Sequence, residues 1–346
     1  MSDTLRLGFI GCGDIAGYMA WFARLNSRLR LAACCDANQA AADSFARKHR
    51  IPTSTVDYRH LLALDDVEAV YIATPHDLHD EMIRAAVEAG KHVLVEKPLA
   101  RTLEEALPLT DHLSESLVKV GVNYQYRYDR GCYALARATQ AGALGRILYA
   151  RANVPWHRTR AYFERSRWHA TQKQSGGGTL LTQGSHMLDV LLWALGSPPA
   201  AAVGETRKLV FDDVEVEDLA FGIVTLESGA MIEVCSSMIA ASEQAVRLEV
   251  YGEKGTAVYG DRPWPHVRWR RVKHPRQSSP APGLHALMRS LEGFRRWIVD
   301  GQPYLTPAVE AVPVMAAVDA IYTSARTGTR VPVCLPKNTS VRKADV

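Results

Sequence analysis

The sequence has no C-x-x-C pair, no apolar run of membrane-spanning length and little net charge, and each shortfall excludes a class of function. Its six cysteines are Cys12, Cys34, Cys35, Cys132, Cys235 and Cys334. Without paired spacing they read as reduced thiols, and Cys34 and Cys35 sit inside an apolar run as small core residues. That usage points to a cytoplasmic protein with no disulfide framework. A formal charge of +4 over 346 residues offers little attraction to a polyanion. The basic stretch Arg262–Arg276, with Trp264 and Trp269, is broken by prolines and nearly alternates. It reads as an exposed hairpin strand, so no nucleic-acid partner is expected. The first apolar run, Leu7–Ile10, is interrupted by Gly8 and is too short for a signal peptide or a membrane span, and no later run is expected to span. His76-Asp77-Leu78-His79-Asp80 looks like a metal cluster, but no further ligands at matched helical spacing accompany it, so no metal is expected. Internal repeats and low-complexity tracts are missing as well.

What is present suits two ordinary cores. The chain is too long for one, and 47% hydrophobic with 23% charged residues is normal for a globular protein. The first third alternates short apolar runs with amphipathic stretches. Leu5–Ile10, Leu29–Cys35, Ala69–Ala73, His92–Glu96 and Lys119–Val122 read as strands that are apolar throughout, which suits a parallel sheet buried on both faces. Between them, Ile15–Leu25, Ala37–His49, Leu78–Ala89 and Leu103–Leu113 read as helices, with Thr102 and Glu105 forming a capping-box start. Such alternation implies right-handed βαβ units and a doubly wound sheet.

After about Tyr124 the pattern changes. A helix over Gly131–Ala141 is followed by a strand over Ile147–Val154, a polar and aromatic loop, and a helix over Gly184–Leu195. Alternating runs at hairpin spacing come next: Leu219–Leu226, Met231–Ser237, Val246–Tyr251, Thr256–Tyr259 and His266–Val272. Turns such as Gly252-Glu253-Lys254-Gly255 between them imply a mostly antiparallel sheet. Helices over Leu284–Val299 and Ala308–Arg326 precede a tail that reads as frayed beyond Val333. The fold class expected is α/β: an N-terminal Rossmann domain and a C-terminal α+β domain with a large, mostly antiparallel open sheet.

The first predicted strand runs into Gly11-Cys12-Gly13-Asp14-Ile15-Ala16, a G-x-G-x-x-A fingerprint. Gly11 permits the tight turn, Gly13 lets backbone approach a pyrophosphate, and Ala16 lets helix and strand pack closely. The helix start then offers free N–H groups to phosphate. Asp36, at the end of the second strand, sits where a carboxylate accepts bonds from both ribose hydroxyls. A carboxylate there repels a 2′-phosphate, and Ala37, Asn38 and Gln39 supply no cation to offset it. NAD is therefore favoured over NADP.

Glu96-Lys97-Pro98 ends the fifth strand of that alternation, at the sheet edge where ligands of parallel sheets bind. An ammonium there can stabilise charge on a substrate oxygen, and Pro98 restricts Lys97. The run Gly176-Gly177-Gly178 leads to Thr182, His186 and Asp189 at the start of an amphipathic helix. Oxidising an alcohol by hydride loss needs a base for the hydroxyl proton, and neutral histidine suits that task. Trp156, Arg158, Tyr162 and Trp168 lie just before the glycine run. Aromatic faces stack on sugar C–H faces, and arginines clamp hydroxyls or carboxylates.

Taken together, the Gly11 fingerprint, Thr74-Pro75 with His79, Glu96-Lys97-Pro98 and the glycine run to His186 and Asp189 resemble the Gfo/Idh/MocA oxidoreductases over nearly the whole chain. The resemblance implies an NAD-dependent oxidoreductase acting on a hydroxyl-bearing carbon of a sugar, polyol or sugar derivative. Lys97 and His186 would flank the reacting carbon. It also implies that Gly11, Gly13, Asp14, Ile15, Asp36, Thr74, His79, Glu96, Lys97 and Arg127 contact the cofactor. Trp156, Arg158, Tyr162, Trp168 and Thr182 fall on the substrate side. The implied division is residues 1–124 for NAD, 125–335 for substrate and oligomer contacts, with the final helices able to pack back on the first domain, and 336–346 as a tail. The open sheet implies a homodimer or homotetramer. One departure is Thr182, where many dehydrogenases of this type carry an acid that orients the histidine. The alternatives are a glycoside hydrolase or lyase that oxidises its substrate transiently with NAD, and a non-catalytic sensor of NAD or sugar.

Overall fold

Six short runs near the N-terminus pair as one parallel sheet: β1 (Leu5–Ile10), β2 (Leu29–Cys35), β3 (Thr53–Thr55), β4 (Ala69–Ile72), β5 (His92–Val95) and β6 (Val120–Val122). The computed structural model describes residues 4–272 and 279–336. The strand order is β3-β2-β1-β4-β5-β6, the doubly wound Rossmann order. All five predicted strands of this region and its four predicted helices agree with the structure to within one or two residues. The short polar strand β3 and the five-residue helix Tyr58–Leu62 carry no apolar run, and periodicity does not show them.

Register sets the carboxyl edge of this sheet. Ile10 pairs with Cys35 and Ile72, Ile72 with Val95, and Val95 with Val122. The next residue of each strand is therefore in one row: Asp36, Gly11, Ala73, Glu96 and Asn123. Beneath it, Phe9 meets Phe45 and Tyr71 at ring-centroid distances of 5.7 and 5.4 Å. The helix Asp14–Arg24 buries Met19, Ala20 and Ala23 in that core, and the late helix Ala286–Asp300 adds Leu287, Leu291 and Phe294. Each such leucine or phenylalanine side chain stabilises the fold by about 1.5–3 kcal/mol. This compact unit comprises residues 1–100, 104–128 and 280–308.

The second unit, residues 101–103, 129–279 and 309–346, is built on eight strands. They are β7 (Ile147–Pro155), β8 (Pro199–Arg207), β9 (Leu219–Leu226), β10 (Met231–Ser237), β11 (Arg247–Gly252), β12 (Thr256–Gly260), β13 (His266–Arg270) and β14 (Val331–Pro332). Their order is β13-β12-β11-β7-β10-β9-β8-β14. Every pairing is antiparallel except β7 with β10. One face is buried, with Ala152, Val154, Val224, Ile232, Val234, Leu248 and Val250 all inaccessible or nearly so. Gly204 and Gly222 pair across β8 and β9 and make a notch for Ile321 of the helix Val312–Thr327, since a Cβ on either would lie 2.5–2.6 Å from that side chain. The helical run Ala308–Thr327 does reach membrane-spanning length, contrary to the sequence expectation. In its most apolar window 72% is buried inside the protein, the setting of a core helix. Residues 273–276 of the basic stretch and the tail from residue 337 lie outside the described residues.

Candidate active site

The turn after β1 separates two reasons for glycine. Gly11 has φ +91, and a Cβ there would sit 2.3 Å from the carbonyl oxygen of Ala73. Its own N–H donates to the Cys35 carbonyl at 2.8 Å. Gly11 is thus required by the protein itself. A Cβ on Gly13 would meet nothing within 4 Å, so protein packing does not require that glycine; it leaves room for a ligand to lie against the backbone. Gly13 precedes the helix Asp14–Arg24 in extended conformation and has no side chain to cap it. Asp36 is held beside the turn: Cys12 N–H donates to its Oδ2 at 3.0 Å and Asn38 N–H to its Oδ1 at 2.9 Å. One backbone donor on each oxygen orients the carboxylate and leaves lone pairs for two hydroxyls. These features fit a dinucleotide. Gly13→Ala is expected to leave thermal stability unchanged while weakening NADH at least about tenfold, a loss of roughly 1.4 kcal/mol. Gly11→Ala is expected to lower stability itself, by about 1–3 kcal/mol. Melting curves and fluorescence titration read the two effects, and an unstable Gly13→Ala would remove the distinction.

Further along the edge, Glu96 faces inward. Its carboxylate accepts from Asn123 Nδ2 at 2.6 Å and from the Tyr71 hydroxyl. Asn123 Oδ1 in turn accepts from Ser290 Oγ at 2.7 Å, and Ser290 Oγ lies 2.7 Å from the Tyr304 hydroxyl. Burial pushes Glu96 above the ordinary carboxylate range, and these donors oppose the rise. The peptide between Lys97 and Pro98 is cis, and Lys97 is half-buried. Thr74 is also half-buried, with its hydroxyl 3.5 Å from Met82 Sδ. Arg127 is buried and donates from Nη1 to the Leu305 carbonyl at 2.8 Å.

His79 joins the two loops that flank Lys97. It is fully buried, with Nδ1 2.8 Å from the Pro98 carbonyl and Nε2 3.2 Å from the Thr74 carbonyl. Burial lowers its pKa to about 4; the two carbonyls oppose that shift and the Lys97 ammonium adds to it. The unfolded chain, where histidine titrates near 6.5, therefore takes up a proton first as pH falls. His79 contributes stability that is fully present above pH 6.5 and is lost between about 6.5 and 4, up to roughly 3 kcal/mol. Denaturant unfolding over that range is expected to fall less steeply for His79→Gln than for the native protein. Parallel curves would show that another group carries the acid sensitivity.

In the second unit, the aromatic candidates come together. Arg158 lies over the rings of Trp156 and Tyr162, at 5.1 and 5.4 Å. Tyr162 stacks on His169 at 4.4 Å, and Trp168 packs on the same imidazole at 3.6 Å. The segment predicted as a loop contains the short helices Arg160–Arg165 and Gln172–Ser175. Phe163 anchors it on Phe211, Val214, Val216 and Met238. Burial raises the Tyr162 hydroxyl to about 12, so it stays a neutral donor. The glycine run leads into a π-helical turn, Leu180–Gly184, that continues as the α-helix Ser185–Leu195. Thr182, His186 and Asp189 are all buried on this segment. Thr182 Oγ1 donates back to the Gly178 carbonyl at 2.7 Å, so its hydroxyl proton is directed at backbone.

A family profile described as oxidoreductase family, NAD-binding Rossmann fold, matches residues 5–124, and the GFO/IDH/MocA C-terminal domain profile matches residues 133–258. An uncharacterized oxidoreductase of Synechocystis sp. is 30% identical over 326 residues, 90% of this chain and 85% of its own. The chain belongs to the Gfo/Idh/MocA oxidoreductase family. Its cofactor is NAD, and it is an oxidoreductase of the dehydrogenase and reductase kind. Also similar is a 1,5-anhydro-D-fructose reductase of Ensifer adhaerens, 29% identical over 253 residues, 73% of this chain and 75% of that enzyme. Among solved structures, the WlbA dehydrogenase of Bordetella pertussis in complex with NADH and UDP-GlcNAcA superposes with a TM-score of 0.86. It is 26% identical, with 96% of this chain and all of that one covered.

Within this family member, several residues of the site were not legible in the sequence. Asn123 follows β6 in the same row as Glu96, so register would have pointed to it. Tyr71 lies within β4, Ser290 and Tyr304 come from far along the chain, and no local spacing links them to Glu96. Among the described residues no group of three or more histidines, cysteines or acids is placed to hold a metal.

Proposed function

We propose that the protein transfers a hydride between NAD and a hydroxyl-bearing carbon of a sugar, polyol or sugar derivative, with Lys97 and His186 in acid–base roles. The open cradle at Gly13 beside the oriented Asp36 carboxylate supports this function most directly. When bound, NAD supplies the hydride acceptor or donor. Gly11, Gly13, Asp14 and Ile15 receive the pyrophosphate, and Asp36 accepts from the ribose hydroxyls. Thr74, His79, Glu96 and Arg127 shape the rest of the cofactor edge, His79 by donating the single N–H of its neutral ring to one of the Pro98 and Thr74 carbonyls. The Lys97 ammonium stabilises negative charge on the reacting oxygen. His186, as neutral imidazole, takes the hydroxyl proton in oxidation and returns it in reduction. Trp156, Tyr162 and Trp168 offer faces for a sugar ring, while Arg158 and Thr182 offer polar contacts.

Residues 1–124 are assigned to cofactor binding and 125–335 to substrate and subunit contacts, residues 280–308 being part of the first compact unit. The exposed face of the eight-stranded sheet carries Tyr149, Phe221, Ile223 and Met231, each 40–49% accessible, with the Arg151–Glu233 ion pair among them at 2.9 Å. Such an apolar patch suits a second copy of the chain, as a homodimer or homotetramer, and light scattering reads its mass. Free thiols at all six cysteines suit a cytoplasmic setting.

The test is a screen that follows reduced nicotinamide. 1,5-Anhydro-D-fructose with NADH, and D-xylose, myo-inositol, levoglucosan and glucosides with NAD, cover the chemistry of related enzymes. Turnover of at least one is expected. Conversion of a glycoside without net NADH would instead favour transient oxidation, and no turnover with tight NADH binding would favour a sensor.

A further inference from the structure

The helix that carries His186 begins on a carboxylate from elsewhere in the chain. An α-helix leaves its first four N–H groups without intrahelical partners. Here four consecutive amides, those of Gly178, Thr179, Leu180 and Leu181, are taken by two residues. Glu217 Oε2 accepts from Gly178 N at 2.7 Å, and Oε1 accepts from Leu180 N at 2.9 Å. The Glu217 carbonyl accepts from Thr179 N at 3.0 Å. The Tyr322 hydroxyl accepts from Leu181 N at 3.2 Å and donates to Glu217 Oε1 at 2.9 Å. The first bond of the turn itself, Thr182 N to the Gly178 carbonyl at 2.9 Å, follows at once.

This clamp also accounts for two of the three glycines. A Cβ on Gly178 would lie 1.9 Å from the Glu217 carbonyl oxygen, and one on Gly177 would lie 2.3 Å from the Tyr322 hydroxyl. Only bare backbone lets the carboxylate and the phenol close on the amides. Glu217 is buried, and burial pushes its carboxyl above the ordinary range. Three donors converge on its two oxygens, and a proton on either would oppose one of them, so the geometry is that of the carboxylate. A negative charge at a helix start is also favoured by the helix dipole.

We propose that Glu217, with Tyr322, is the positioning residue of His186, fixing where the helix begins and hence the rotational phase at which Thr182 and His186 are presented. This rests on the reading of His186 as the acid–base group. Successive helical residues differ by about 100°, so a start that slips by even part of a residue swings the imidazole away from a bound substrate. The π-helical turn at Leu180–Gly184 lies directly between the clamp and His186, and such turns cluster at functional sites.

The test is a double-mutant cycle on the full chain, using the best substrate of the panel above. In Glu217→Gln the amide nitrogen faces either Gly178 N–H or Leu180 N–H, donor against donor, whichever way it is turned. Turnover is expected to fall by roughly tenfold to a hundredfold, the effect of a small misplacement of a reacting group, with NADH affinity within about twofold. Tyr322→Phe removes one arm and is expected to show a smaller loss in the same direction; it decides the matter if Glu217→Gln does not fold. The discriminating readout is the second substitution. In a His186→Ala background, Glu217→Gln is expected to cost less than about a further twofold, because residues acting through one group are not additive. Multiplying losses would overturn the proposal, since a merely structural carboxylate damages both backgrounds alike. Native turnover in folded Glu217→Gln would overturn the clamp and leave the base reading intact. Native turnover in His186→Ala would overturn the base reading, and with it the clamp's route through His186.

Discussion

Lys97→Ala and His186→Ala are each expected to lower turnover by at least about a hundredfold, the scale on which a positioned acid or base acts. Lys97 follows Glu96, whose carboxylate is fixed by Asn123 and Tyr71. The carbonyl of Pro98 on its other side lies beside His79 Nδ1. An ammonium on so constrained a segment can stabilise charge without having to reorganise first, which is why its removal is expected to be costly. His186 is buried on a helix whose start is held by Glu217 and Tyr322. The two variants differ in what they do to the cofactor. NADH affinity is expected to weaken for Lys97→Ala, at the sheet edge, and to stay within about twofold for His186→Ala. Steady-state rates on the panel substrate and fluorescence titration with NADH separate these outcomes. A variant that retains near-native turnover removes its residue from the mechanism.

NADPH is expected to bind at least about a hundredfold more weakly than NADH, a difference of roughly 2.7 kcal/mol. Both oxygens of Asp36 are oriented by backbone donors from Cys12 and Asn38, so the carboxylate is held in place against an added phosphate. Like charges brought together in this way cost several kcal/mol. No basic residue follows among Ala37, Asn38 and Gln39 to offset the repulsion. Asp36→Ser is expected to narrow the ratio to within about tenfold, chiefly by weakening NADH, which loses its ribose acceptor. Parallel titrations of the native protein and Asp36→Ser with both cofactors measure it, and equal affinities in the native protein would overturn the role given to Asp36.

How much was legible varies with how local the cause is. β1, β2, β9 and β10 can be read to the residue because each is an apolar or alternating run bounded by turn residues. β8 cannot: Pro199-Ala200-Ala201-Ala202 gives way to Gly204 and charged residues, and the strand exists because it pairs with β9 and seats Ile321 against Gly204. The fingerprint glycines are both visible as glycines. Only the packing around them shows that Gly11 is needed by the Ala73 carbonyl and that Gly13 is left open. His79 was expected to contact the cofactor, and spacing alone could not show that its two ring nitrogens lie beside the Pro98 and Thr74 carbonyls.

Alone, the sequence determines most of the strands and helices, the dinucleotide turn, the expectation of NAD and the residue types at Lys97 and His186, because each follows from spacing along a few neighbouring residues. The tertiary structure decides which way those residues are held. Glu217 precedes β9, and Tyr322 lies 105 positions further on, yet they take the amides of one glycine-rich turn. Asn123 and Tyr71 converge on Glu96 from two distant segments, and Ser290 braces Asn123 from a third. Such contacts depend on strand register and helix packing over the whole chain, and a carboxylate recruited from that distance leaves no periodic trace in the sequence it came from.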